Sequence, residues 1–138
     1  DGEPKVIEYN VRMGDPETQV CLPLLENDLY ETVMKSNRGE HFELNFSDKH
    51  ACCVVMVSGG YPLNYEKGFE IRGIENLDCP YFVAGAKEKD GKMLTSGGRV
   101  LNIVGIGNSL EEARNQAYEN IVKVHFDYQY YRKDIGLV

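Results

Sequence analysis

RVLNIVGIGNSLEEARNQAYENIVKV, residues 99–124, decides the architecture. Its first part, Arg99–Ile106, is an apolar run broken only by Asn102 and Gly105, as expected of a strand in a core. Ser109 then opens a helix, because Ser109 and Glu112 form a Ser-x-x-Glu capping box. Leu110, Ala113, Ala117, Ile121 and Val124 follow at helical spacing and give that helix one apolar face. Upstream, Ala51–Val57 is continuously apolar and reads as a strand covered on both faces. Between these lie weaker strand signals at Phe69–Ile74, Tyr81–Ala86 and Met93–Thr95. Lys89-Asp90-Gly91-Lys92 is a hairpin turn, since Asp-Gly supplies the positive φ values such turns require. With Arg99–Ile106 as the last strand, the pattern is strands followed by a long helix. That implies an α+β domain with a mainly antiparallel sheet.

The first 45 residues have a different texture. Lys5–Met13 alternates, with Ile7, Tyr9, Val11 and Met13 on one face and Glu8, Asn10 and Arg12 on the other, as in a strand. Gly14 breaks it. Asp15-Pro16 then reads as a helix start, with Asp15 at the N-cap and Pro16 where its missing N–H costs nothing. Val20, Cys21, Leu24, Leu25 and Leu29 suit a helix to about Tyr30, kinked or shortened by Pro23. Lys35–Lys49 is polar and loop-like. These shifts divide the chain into residues 1–45 and 46–138. Asp1-Gly2 is a turn pair, so the chain reads as a piece cut from something longer.

A net charge of −7 argues against general nucleic-acid binding, which needs a basic stripe. It leaves room for small anions held by a few local arginines. No apolar run reaches membrane-spanning length, and the first residues lack a signal-peptide pattern. The 4 cysteines, Cys21, Cys52, Cys53 and Cys79, form no CxxC pair and read as reduced, shielded thiols of a cytoplasmic protein. His41, His50 and His125 share no spacing suited to a metal site or a triad.

Two segments carry chemistry. Glu8, Asn10 and Arg12 project from one strand face at about 7 Å steps. A carboxylate and an amide oxygen so placed can share a hard cation, and an arginine beyond them can grip a phosphate or carboxylate. A solvated polar face would show the same alternation. The second segment is Thr95-Ser96-Gly97-Gly98-Arg99. Its glycines allow close backbone approach to an anion, with Arg99 supplying charge. A glycine turn beside a surface arginine reads equally well. Arg132-Lys133-Asp134 is either a second basic contribution or a solvated tail. Gly105-x-Gly107 lacks the third glycine and the βαβ setting of a dinucleotide site.

The string IEYNVRMGDPETQ, residues 7–19, closely resembles the end of the ATP-grasp fold in the phosphoribosylamine–glycine ligase family, also called glycinamide ribonucleotide synthetases. VSGGYPLNYEKG (57–68), DGKMLTSGGRVLNIVGIG (90–107), SLEEARNQAYENI (109–121) and HFDYQYYRKDIG (125–136) resemble that family's C-terminal domain, in the expected order. Lys35–Asn45 and Asn76–Pro80 match nothing in it, and Asn102 stands where glycine is expected. The resemblance implies a metal-binding strand and helix from the ATP-grasp domain over 1–45, followed by the C-terminal α+β domain. It implies an enzyme using ATP as co-substrate to join glycine to 5-phosphoribosylamine in purine biosynthesis. Mg2+ or Mn2+ would be held by Glu8 and Asn10. Arg12 would act at the phosphate or glycine carboxylate, and Asp15, Ser96, Gly97, Gly98, Arg99 and Arg132 would bind substrate. The expected partners are those small molecules and the N-terminal remainder of the same enzyme, with no nucleic acid and no membrane. The short chain alone, without the ATP-grasp lysines and glycine-rich loop, is expected to be inactive. A non-catalytic binding or interaction module of the same architecture is the alternative.

Overall fold

The computed structural model describes residues 2–9 and 11–137. Two nine-residue strands, β1 (His50–Ser58) and β5 (Arg99–Gly107), pair antiparallel at the centre, with Val54 opposite Ile103. β2 (Tyr81–Val83) extends the sheet beyond β5, and the two-residue β6 (Gln129–Tyr130) beyond β1, giving the order β2-β5-β1-β6. β3 (Ala86–Lys89) and β4 (Lys92–Thr95) form a separate ribbon. The turn joining them has Asp90 and Gly91 at φ 53° and 72°, as the Asp-Gly pair requires.

One helix, α3 (Leu110–Ile121), covers the sheet. The Ser109 hydroxyl accepts the Glu112 N–H at 3.1 Å, while the Glu112 carboxylate accepts the N–H of Asn108 rather than that of the cap itself. Ala113, Ala117 and Ile121 are fully buried against Cys52, Val54, Met56, Leu101 and Ile103. Each large aliphatic so buried contributes about 1.5–3 kcal/mol. Gly105 makes the close approach workable: a Cβ there would lie 1.9 Å from the Ala113 carbonyl oxygen. Asn120, also buried, accepts the Asp78 N–H and the Lys123 ammonium, and so anchors the 76–80 segment to the helix.

The α+β architecture is as the sequence implies, but several elements differ in detail. β1 is buried on alternate residues, so only its α3 face is dry; the other face is half-covered. Phe69–Ile74 is no strand. It makes isolated bridges, Glu70 to Leu94 and Arg72 to His125, before Gly73 at φ 86° turns it into a short 3-10 turn. Tyr81–Ala86 divides between β2 and β3: the regular ladder with β5 ends at Val83, the N–H groups of Ala84 and Gly85 still donate to the Val100 and Arg99 carbonyls, and Ala86 then joins the ribbon. Arg99–Gly107 is not the last strand, since β6 follows α3.

The larger departures precede residue 45. Lys5–Met13 forms no strand among the described residues, and Ile7 and Val11 are each 96% exposed. Alternation alone cannot make a strand; its N–H and C=O groups need a neighbouring strand, and the sheets and bridges of the described residues do not include this segment. The single helix to Tyr30 is instead α1 (Thr18–Cys21), a 3-10 turn at Leu22–Leu24 and α2 (Leu29–Asn37). Pro23 has no N–H to continue the helix, and Leu25 is already extended. Asp28 then caps α2, accepting the Glu31 N–H at 2.9 Å. Asp15 is not a cap: Glu17 occupies that position for α1, and the Asp15 carboxylate is engaged elsewhere.

Candidate functional site

On the sheet face opposite α3, two of the predicted site residues, Arg99 and Arg132, line one groove, and Asp15 is paired with the first of them. Cys53, Val55 and Val57 of β1 floor a groove of about 400 Å3, rimmed by Pro16, Tyr61, Arg99, Tyr130 and Arg132. The floor is apolar because alternate β1 residues point away from the helix. The rim is charged because the start of β5 and the segment past β6 each bring a guanidinium to it.

Arg99, first residue of β5, pairs with Asp15 at 3.1 Å and donates a second bond to the Asp15 carbonyl at 2.8 Å. The Gln19 amide donates to the other Asp15 oxygen at 2.7 Å. Residues 84 apart in sequence are thereby joined, although a pair this exposed contributes only about 0.2–1 kcal/mol. Arg99 keeps further N–H donors, because a guanidinium has five in all. Arg132 is held by Asp134 through its Nε at 2.9 Å and Nη2 at 2.6 Å. That contact holds the Asp134 carboxyl below its ordinary range and raises the Arg132 guanidinium.

The Ser96-Gly97-Gly98 turn is internally committed. The N–H groups of Ser96 and Gly97 both donate to the Gly85 carbonyl, at 2.7 and 2.9 Å. Its carbonyls are used as well: the Ser58 hydroxyl donates to Gly97 and the Ser58 N–H to Gly98. Gly97 packs on Gly85, where a Cβ on either would come within 3 Å of the other's Cα. A Cβ on Gly98 would lie 2.2 Å from the Tyr61 ring. The close approach that these glycines allow is therefore made to the protein's own chain.

Glu8 and Arg12 lie in the exposed stretch before Gly14, and Arg12 donates to the Met13 carbonyl at 3.1 Å. Neither reaches the groove lining. Asn10 falls outside the described residues. Among the described residues no group of three His, Cys, Asp or Glu side chains is placed to hold a metal. The sequence reading missed Tyr61, Tyr130 and the β1 floor. Knowing that β1 has one open face would have named the floor; nothing in the sequence places the tyrosines.

Cys53 reports on how closed this face is. Burial, then the neighbouring Cys52 and Asp15, push its thiol up to about 12. Stability gained by keeping it neutral is thus fully present below the ordinary thiol range and is lost as pH rises toward that value. At pH 8 its thiolate population, and with it the rate of iodoacetamide alkylation, should be about a thousandfold below that of a free cysteine. Peptide mapping after timed alkylation checks this; a rate near that of free cysteine would mean an open, wet floor.

No helix among the described residues is long and apolar enough to cross a membrane. Residues 51–138 match the family model described as "Phosphoribosylglycinamide synthetase, C domain". The chain is 47% identical to the phosphoribosylamine–glycine ligase of Fusobacterium nucleatum, over 99% of its own length and 34% of that protein's. It is 50% identical to the ligase of the same name from Caldanaerobacter subterraneus, over 96% and 33% of the two lengths. The crystal structure of the Thermotoga maritima phosphoribosylamine–glycine ligase superposes with a TM-score of 0.87 at 45% identity, covering 97% of this chain and 34% of that one. The chain thus spans about a third of the length of the curated relatives it matches. On the sequence match over residues 51–138 and the shared α+β architecture, the chain belongs to the phosphoribosylglycinamide synthetase family.

Proposed function

We propose that the chain is the C-terminal portion of a cytoplasmic, ATP-dependent ligase that joins glycine to 5-phosphoribosylamine, giving glycinamide ribonucleotide, ADP and phosphate. The observation that carries this reading is that Arg99, paired with Asp15, and Arg132 line one groove, in a chain whose relatives are named phosphoribosylamine–glycine ligase. ATP would phosphorylate the glycine carboxylate; the phosphoribosylamine nitrogen then attacks the acyl carbon and phosphate leaves. Such chemistry asks the protein for charge and position rather than for a nucleophile.

Arg99 is assigned to the ribose phosphate, with Asp15 fixing its guanidinium plane and Arg132 adding positive charge along the same rim. Ser96, Gly97 and Gly98 shape the turn that presents Arg99 to the groove. Arg12 is assigned to the phosphate or glycine carboxylate. The donor chemistry fits a hard cation, Mg2+ or Mn2+: Glu8 is exposed and offers carboxylate oxygens, and Asn10 offers an amide oxygen. When bound, that ion would neutralise charge on the ATP phosphates.

Arg99→Ala in the full-length ligase should raise the KM for phosphoribosylamine about tenfold, from the loss of charge-assisted bonds. The constants for ATP and glycine should move much less. Arg99→Lys should recover only part of the loss, because a point ammonium cannot serve Asp15 and a phosphate in one plane. Equal loss for all three substrates would reduce Arg99 to a structural link.

A further inference from the structure

The groove's second arginine stands on a segment with no regular structure, Tyr131 to Leu137, that runs past the end of β6. Loop residues of this kind usually wander, yet this one is tied to α3 at four backbone points by two side chains. The Tyr118 hydroxyl donates to the Arg132 carbonyl at 2.7 Å and accepts the Ile135 N–H at 3.2 Å. Arg114 donates from Nε to the Ile135 carbonyl at 3.0 Å and from Nη2 to the Lys133 carbonyl at 2.9 Å. Arg114 and Tyr118 are one helical turn apart, and the guanidinium lies over the phenol ring at 4.7 Å, so each also orients the other. Gly136 completes the seat: a Cβ there would stand 3.2 Å from the Cys52 sulfur and 3.5 Å from Arg114 Cδ.

The helix that makes these bonds cannot easily shift. Ala113 and Ala117, flanking Arg114 and Tyr118, press on Gly105 of β5, the strand that begins with Arg99. A rigid path therefore runs from β5, which carries Arg99, through α3 to the backbone of Arg132. We propose that Tyr118 and Arg114 are positioning residues that set where Arg132 stands on the groove relative to Arg99. The inference rests on the phosphate-binding reading of that groove. Neither residue touches substrate; both act through the carbonyl bonds that fix residues 132–135. Arg114 is suited to this because its rigid planar fork sends two N–H groups in fixed directions to two carbonyls, a geometry that a compact, freely rotating ammonium does not hold.

The experiment is a double-mutant cycle in the full-length ligase, using Tyr118→Phe, Arg132→Ala and the pair. The readouts are KM for phosphoribosylamine, KM for ATP and kcat. Tyr118→Phe keeps the ring and its packing and removes only the hydroxyl. Arg132→Ala should raise the KM for phosphoribosylamine about tenfold, and Tyr118→Phe about three- to fivefold, with KM for ATP unmoved. The double variant should resemble Arg132→Ala alone, because a positioning residue has nothing left to position. Arg114→Lys should behave like Tyr118→Phe. Additive losses in the double variant, or a Tyr118→Phe effect spread equally over both substrates, would overturn the proposal and leave Tyr118 a structural residue. Loss with Arg132→Ala but none with Tyr118→Phe would reject the positioning alone. No change with Arg132→Ala would reject the reading of the groove beneath it.

Discussion

Glu8→Gln in the full-length ligase is expected to lower turnover about a hundredfold or more, the largest effect on activity anticipated for any residue of this chain. A carboxylate that holds a divalent cation against ATP phosphates contributes most when the phosphoryl group transfers, since charge is then moving. Gln keeps the size and one oxygen but removes the negative charge, and a hard cation depends on that charge. Glycine-dependent ADP release at saturating magnesium gives the rate. A manganese titration followed by electron paramagnetic resonance separates lost binding from lost chemistry. A variant with near-normal turnover at limiting magnesium would remove Glu8 from the metal assignment.

Gly105→Ala should have the largest effect on stability. The added methyl would fall 1.9 Å from the Ala113 carbonyl oxygen and 2.6 Å from the Ala117 nitrogen, both of them helix backbone. No side-chain rotation can relieve such contacts, so α3 must move off β5. That displacement strips packing from Ala113, Ala117 and Ile121, all now fully buried. Overpacking of this severity costs about 3 kcal/mol or more. For a chain of this size that is roughly a 10 °C fall in melting temperature. Calorimetry decides the matter, and a shift of less than about 2 °C would mean that the helix rides freely on the sheet.

What could be read from the sequence followed locality. β1, the Asp90-Gly91 hairpin and the capped α3 each announce themselves within a dozen residues, through an apolar run, a turn pair or a capping box. The Lys5–Met13 segment carries an equally clear period, but its described residues form no strand, since strand formation depends on a neighbour that no period can supply. β6 has only two paired residues, Gln129 and Tyr130, too few for any periodic signal. The candidate site divides in the same way. Asp15 could be singled out at a helix start, Arg99 beside a glycine turn and Arg132 within a charged run. Their meeting could not, because it depends on α1 folding back over the sheet and on the 131–137 segment turning along its edge. The glycines of Ser96-Gly97-Gly98 were legible as a need for closeness, though residue type alone does not say to what.

That last contact also bears on how the sequence can change. Gly85 and Gly97 face one another so closely that a Cβ on Gly85 would fall 2.7 Å from the Gly97 Cα, and one on Gly97 would fall 2.9 Å from the Gly85 Cα. Neither residue has the option of substituting first, since the clash would be with the other's backbone and a smaller partner does not exist. A pair locked in this way cannot be left by single steps. The two chain segments would have to separate before either position could vary, and that separation would carry the Arg99 turn away from the sheet with them. The route along the strand into the groove thus leaves no room for a side chain at either position while the two segments stay in contact.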